Sequence, residues 1–229
     1  MNKVLLAFHG DPKIKKEYLE RVIAHQKADD IIKGKYWEKG KGCAVGCTIH
    51  GNNHGAYEDE LGISRVIARL EDGIFEVLPN ERALEFPRQF LESIQVGADL
   101  SLVFYQFMHW MLIDPQDGVL QYAKTDRTRE SIQKTAALFS RRINGEIISL
   151  SDWRSAAADA ASASVYADAA SVYAVADAAA AHVSVYADAV ADAAAAASVY
   201  AGQKIQIKQA DKLLELLRNA PVPFLPNNN

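Results

Sequence analysis

Ile14, Tyr18, Leu19, Val22, Ile23, Ala28 and Ile31 fall at the spacing that gathers apolar side chains on one face of an α-helix. Asp11 and Pro12 precede them, an N-cap that can accept an orphan backbone N–H and then a residue with none to offer. A helix is therefore predicted from residue 12 to about 33, where Gly34 stops it. Similar patterns predict helices over RVIARLEDGIFEVL after Ser64, ERALEFPRQFLESI from the Pro79-Asn80 restart, and DLSLVFYQFMHWMLI beyond Gly97. The last is apolar almost all round, which at this length predicts a buried helix with His109 as a hydrogen-bonded core residue. Asp114, Pro115 and Asp117-Gly118 mark a turn, after which Asp126 is the expected cap of RTRESIQKTAALFSRRI. That helix ends at Asn144-Gly145 with arginines in its last turn, where cations suit the helix dipole. KGKYWEKGKG reads as a loop, and only VLLAF and GEIISL offer short strand candidates.

From Ser151 to Ala201 the pattern changes to an alanine-rich tract without Gly, Pro, Leu, Ile, Lys or Glu. Alanine has the highest helix propensity, so the tract is expected to be helical despite its low complexity. SVYA recurs from Ser164, Ser171, Ser184 and Ser198. Steps of seven keep Tyr166 with Tyr173 and Tyr186 with Tyr200, while the step of thirteen between the pairs would turn them to opposite sides of one rod. A single helix of this length would also reach about 75 Å, against a domain some 45 Å across. A reversal near His182–Ser184 removes both conflicts, giving at least two helices, followed by QKIQIKQADKLLELLRNA after Gly202. The expected fold is all-α: a multi-helix bundle of residues 1–150 with an alanine-rich helical layer, residues 151–229, packed on it as one unit. Asp159, Asp168, Asp177, Asp188 and Asp192 would form an acidic outer surface, read first as a solvated face and otherwise as a docking site for a basic partner.

Composition narrows the function. The formal charge of −4 supplies no basic footprint for nucleic acid or an anionic membrane. Tyr36 and Trp37 among four lysines could grip a nucleic acid, but a solvated loop with one anchored aromatic is the preferred reading. The N-terminal apolar run is too short for a secretory signal, and no stretch reaches membrane-spanning length, so a cytoplasmic protein with reduced thiols is expected.

Both cysteines lie in GKGCAVGCTIHGNNHGAYE, Gly40 to Glu58, with two histidines. Cys43, Cys47, His50 and His54 follow steps of four, three and four, one stripe of a helix whose ends would stand about 16 Å apart. Zinc needs its ligands converging on one point, so a four-ligand site requires the turn at Gly51-Asn52-Asn53 to fold His54 back. The structural alternative is a short buried helix in which the cysteines serve as small apolar residues and Gly46 permits close packing. A third reading makes Cys47 a nucleophile with His50 as its base.

These residues, with HGDPKIKKEYLERVIAHQKADDIIKGKYW before them and YEDELGISRVIARLEDGIFEVLPNE after, resemble a group of uncharacterised bacterial and phage-associated proteins with C-terminal Ala/Ser repeats. The resemblance covers most of the chain and transfers no functional residue. The alanine-rich part alone is similar to helical immunity-type proteins. The expected function is a non-enzymatic interaction protein without a cofactor, an accessory or immunity-type factor meeting a protein partner through Tyr166, Tyr173, Tyr186, Tyr200, Asp168 and Asp188. The alternative is a metal-dependent, possible zinc, or thiol enzyme built on Cys43, Cys47, His50 and His54.

Overall fold

The computed structural model describes residues 5–53, 55–164 and 203–223. They are all-α in class, with one two-stranded hairpin among the helices. The helices are α1 (Pro12–Ala28), α2 (Ala44–Ile49), α3 (Ala56–Leu61), α4 (Arg65–Val77), α5 (Asn80–Ser93), α6 (Val103–Ile113), α7 (Asp126–Ile143), α8 (Leu150–Ser164) and α9 (Gln203–Arg218). No helix among the described residues is long and apolar enough to cross a membrane. The chain divides into two compact units, one from the described parts of Met1–Glu76, Asn80–Val103 and Leu213–Asn229, the other from those of Val77–Pro79 and Phe104–Lys212.

In the first unit, α1 starts as its sequence requires: the Asp11 carboxylate accepts from the Lys13 N–H at 2.8 Å, with Pro12 in the first turn. It ends earlier than its periodicity suggests. Asp29 turns into the left-handed region at φ 57°, and the chain beyond it is drawn away to pair Ile31 with Gly42. Ile31 is buried by that pairing rather than by helical continuation. The expected loop contains a hairpin, β1 (Trp37–Glu38) against β2 (Lys41–Gly42), in the register Trp37 to Gly42. Of VLLAF, only Leu6 bridges, to Asp99; Ala7–Gly10 forms a 3-10 turn. α1 packs on α2 and α5, around a core that includes Val22, Tyr57, Ile67, Phe86 and Phe90.

In the second unit α7 and α8 form a helical hairpin, and Phe139 of α7 meets the fully buried Trp153 of α8 at 4.9 Å and Phe104 of α6 at 6.1 Å. α6 is less uniformly buried than its composition suggests. Phe104, Phe107, Met108, Met111 and Leu112 are buried, whereas Tyr105, Gln106, His109 and Trp110 are half-buried, because one stripe of it faces the core. The cap of α7 is Thr125, whose hydroxyl accepts from the Thr128 N–H at 3.1 Å; Asp126 is the first helical residue. GEIISL is not a strand, and its end builds a reciprocal cap for α8: the Ser149 hydroxyl accepts from the Asp152 N–H at 3.1 Å and the Asp152 carboxylate from the Ser149 N–H at 3.3 Å. The start of the alanine-rich tract is helical in α8, where Asp159 is exposed and lies 3.8 Å from Lys134. The predicted break near His182 and the SVYA tyrosines lie outside the described residues.

Candidate functional site

The chemistry-bearing residues of the first unit collect around α2, and two glycines explain how. A Cβ at Gly42 would stand 2.1 Å from the Tyr36 carbonyl oxygen, and one at Gly46 only 1.4 Å from it. The first turn of α2 thus lies directly on the hairpin backbone, where the Cys43 N–H donates to the Lys35 carbonyl at 2.7 Å. Cys43 is the N-cap, its sulfur accepting from the Gly46 N–H at 3.5 Å. Cys47, one turn on, donates its S–H to the Gly42 carbonyl at 3.3 Å. Both cysteines are almost fully buried, at 1% and 0% exposure. Burial pushes the Cys47 thiol up to about 12; it also raises Cys43, with the neighbouring Asp72 carboxylate adding to the shift. Thiols in these surroundings stay protonated at neutral pH and are poor nucleophiles.

The structure sends the four residues of the sequence stripe to different places. The Cys43 sulfur lies within 4.8 Å of carboxylate oxygens of Asp72 and Glu76, both on α4. Among the described residues, Cys43, Cys47 and His50 do not form such a group with one another. His54 lies outside the described residues. A thiol and two carboxylates could ligate a cation, yet the group is already engaged. Both Glu76 oxygens accept from the Gly34 N–H, at 2.9 and 3.1 Å, Lys33 offers Glu76 a positive charge, and Cys43 is hydrogen-bonded to Asp72.

Behind this cluster Glu71 of α4 is completely buried. Tyr57 of α3 donates its hydroxyl to Glu71 Oε2 at 2.8 Å, while Oε1 has no hydrogen-bond partner among the described residues. Burial, against the opposing Tyr57 hydrogen bond and with the Asp72 charge adding to it, holds the Glu71 carboxyl well above the usual carboxylate range. Burial likewise raises Tyr57, the Glu71 charge being the next cause.

His50 belongs to a third grouping. It closes α2 in the left-handed conformation at φ 53°, and its Nε2 lies 2.8 Å from Nε2 of His25 on α1. Trp37 of β1 stacks on His50 at 4.6 Å and 17° and meets His25 edge-on at 5.4 Å. His25 Nδ1 is 3.5 Å from the Asp30 carboxylate. Arg21, one turn earlier on α1, donates to the Thr48 carbonyl at 2.9 Å and so satisfies the end of α2.

Sequence reasoning missed His25, Asp30, Glu71, Asp72 and Glu76. A signal existed for Glu71, which lies four residues after Ile67 and three before Ile74, within the apolar stripe of α4. A carboxylate at such a position is either a partnered core group or a site. For His25 no comparable signal existed, since the chain reversal at Asp29 brings its partners to it.

The chain matches no family model, no curated protein and no solved structure.

Proposed function

We propose that the chain is a non-enzymatic helical interaction protein, an accessory or immunity-type factor, that meets a basic protein partner through its alanine-rich repeat tract. The observation that carries this reading is the charge pattern of the tract. Asp159, Asp168, Asp177, Asp188 and Asp192 recur from Ser155 to Ala201 without a single lysine or arginine, among tyrosines set in a small-residue frame. Tyrosine gives contact area at low entropic cost, and a one-signed field speeds encounter with an oppositely charged surface. The burial of both sulfurs supports the same reading, because it leaves Cys47 and His50 badly placed for nucleophilic chemistry.

The test places a photo-crosslinking phenylalanine analogue at Tyr166, Tyr173, Tyr186 or Tyr200 of the full chain, irradiated in native extract. A discrete adduct with one basic protein is expected, weakened by salt and by Asp168→Asn with Asp188→Asn. Stoichiometric zinc lost on Cys47→Ser, or turnover that depends on Cys47, would overturn the reading in favour of a metal-dependent or thiol enzyme.

A further inference from the structure

We propose that His25 and His50 form a proton-operated latch that holds the Trp37 indole against α1 and α2 at neutral pH and releases it on acidification. The geometry is that of two rings joined tip to tip. Their centroids are 5.0 Å apart and their planes 86° apart, while the Nε2 atoms are separated by 2.8 Å. That separation plus the two ring radii nearly accounts for the whole centroid distance, so both nitrogens lie almost on the line between the rings. Such a contact is a hydrogen bond, and it needs one nitrogen with a proton and one without.

The two imidazoles can take up one further proton and keep the bond. His25 stands between an acceptor on each side: its Nδ1 faces the Asp30 carboxylate at 3.5 Å and its Nε2 faces the His50 ring at 2.8 Å. An imidazolium against the Trp37 indole also gains cation–π attraction, which favours the closed pair at this stage. The second proton is different. It sets N–H against N–H and two positive rings at contact distance, and only separation of the rings relieves both.

The surrounding charges act on that second step. Arg21 on α1, which also pairs with Glu17, opposes a charge on His50; Glu60 on α3, held by the Tyr18 hydroxyl at 2.5 Å, favours it. On the hairpin side Lys41 lies 3.5 Å from Asp30 and offsets its charge, and Glu38 is taken by Lys35. His50, although exposed at its outer edge, is also held below its ordinary value, first by partial desolvation and then by the Arg21 and His25 charges, so the latch stays shut into mildly acidic conditions. When His50 swings away it takes with it the face on which Trp37 stacks, and the indole loses its support while the hairpin backbone stays on α2.

The experiment follows the indole N–H resonances of the full chain by NMR from about pH 7.5 to about pH 4.5, a range bracketing the ordinary imidazole value of about 6.5. Trp37 is assigned by its loss in Trp37→Phe. In the wild type, the Trp37 resonance is expected to move to an unstacked position as pH falls while that of Trp153 stays in place. In His25→Gln the amide can donate to or accept from His50, so the Trp37 resonance is expected to lose this movement. Should His25→Gln fail to fold, His50→Gln, which removes the ring on which Trp37 stacks, is expected to place the Trp37 resonance at the unstacked position already at about pH 7.5 and to leave it there as pH falls. The proposal is overturned if the Trp37 resonance does not move, if Trp153 moves with it in a global transition, or if the glutamine variant titrates like the wild type.

Discussion

Gly46 has no room for a side chain, and this single fact ties the hairpin to α2. A methyl group there would lie 1.4 Å from the Tyr36 oxygen and 2.6 Å from its carbonyl carbon, both backbone atoms that cannot rotate aside. Gly46→Ala is expected to destabilise the protein by about 3 kcal/mol or more, at the severe end of single substitutions. Gly51→Ala, whose added carbon would meet only the Ile49 oxygen at 3.9 Å, is expected to stay within about 0.5 kcal/mol of wild type. Urea denaturation of the two variants checks the contrast. The cysteines give a second residue-scale expectation. With both thiols buried and held protonated, an aromatic disulfide reagent at mildly alkaline pH should leave them unmodified in the native protein and react with both once it is denatured. Rapid modification of Cys47 in the folded chain would mean that it is not sealed.

At the scale of elements, local chemistry decided where helices begin, and distant pairing decided where some of them end. Asp11-Pro12 opens α1 as the sequence predicts, because an N-cap and a first-turn proline act within their own turn. Its end was not legible: the apolar period runs on to Ile31, and only the bridge to Gly42, eleven positions downstream, takes Ile31 into a different structure. The hairpin was hidden for a related reason, since two-residue strands carry too few positions for alternation to show. The buried helix holding Cys43 and Cys47 was readable from its small and β-branched residues, whereas the His25–His50 pair required the fold of three elements. At α7 the expected cap was displaced by one position, from Asp126 to Thr125. Thr125→Ala should therefore cost about 1 kcal/mol, and Thr125→Ser much less, because serine keeps the oxygen that accepts from Thr128. Asp126→Ala should matter less than Thr125→Ala, and thermal melts of the three variants order them.

At the scale of the whole molecule, two ionisable groups tilt stability with pH in opposite senses. His50 has its folded value depressed, so the unfolded chain binds more protons than the native one once pH falls below about 6.5, and stability is lost on the acid side. Glu71 acts on the alkaline side. Its folded value is raised, so above an unfolded value near 4.3 the native protein holds a proton that the unfolded chain has released. Its contribution is fully present below that value and declines as pH rises, by about 1.4 kcal/mol per pH unit until the folded value is reached. Glu71→Gln keeps an oxygen to accept from Tyr57 and removes the ionisation, which gives the prediction its control. The variant should match the wild type near pH 4 and become progressively more stable than it as pH rises above that, until the folded value is passed. Tyr57→Phe, which leaves the carboxyl without its hydroxyl donor, should instead destabilise by about 1–3 kcal/mol at acidic pH, where Glu71 is neutral in both states. Stability curves measured in urea across this range decide the matter. Parallel curves for the wild type and Glu71→Gln would mean that the carboxyl ionises as readily inside the fold as outside it, and that the burial of α4 does not govern its charge.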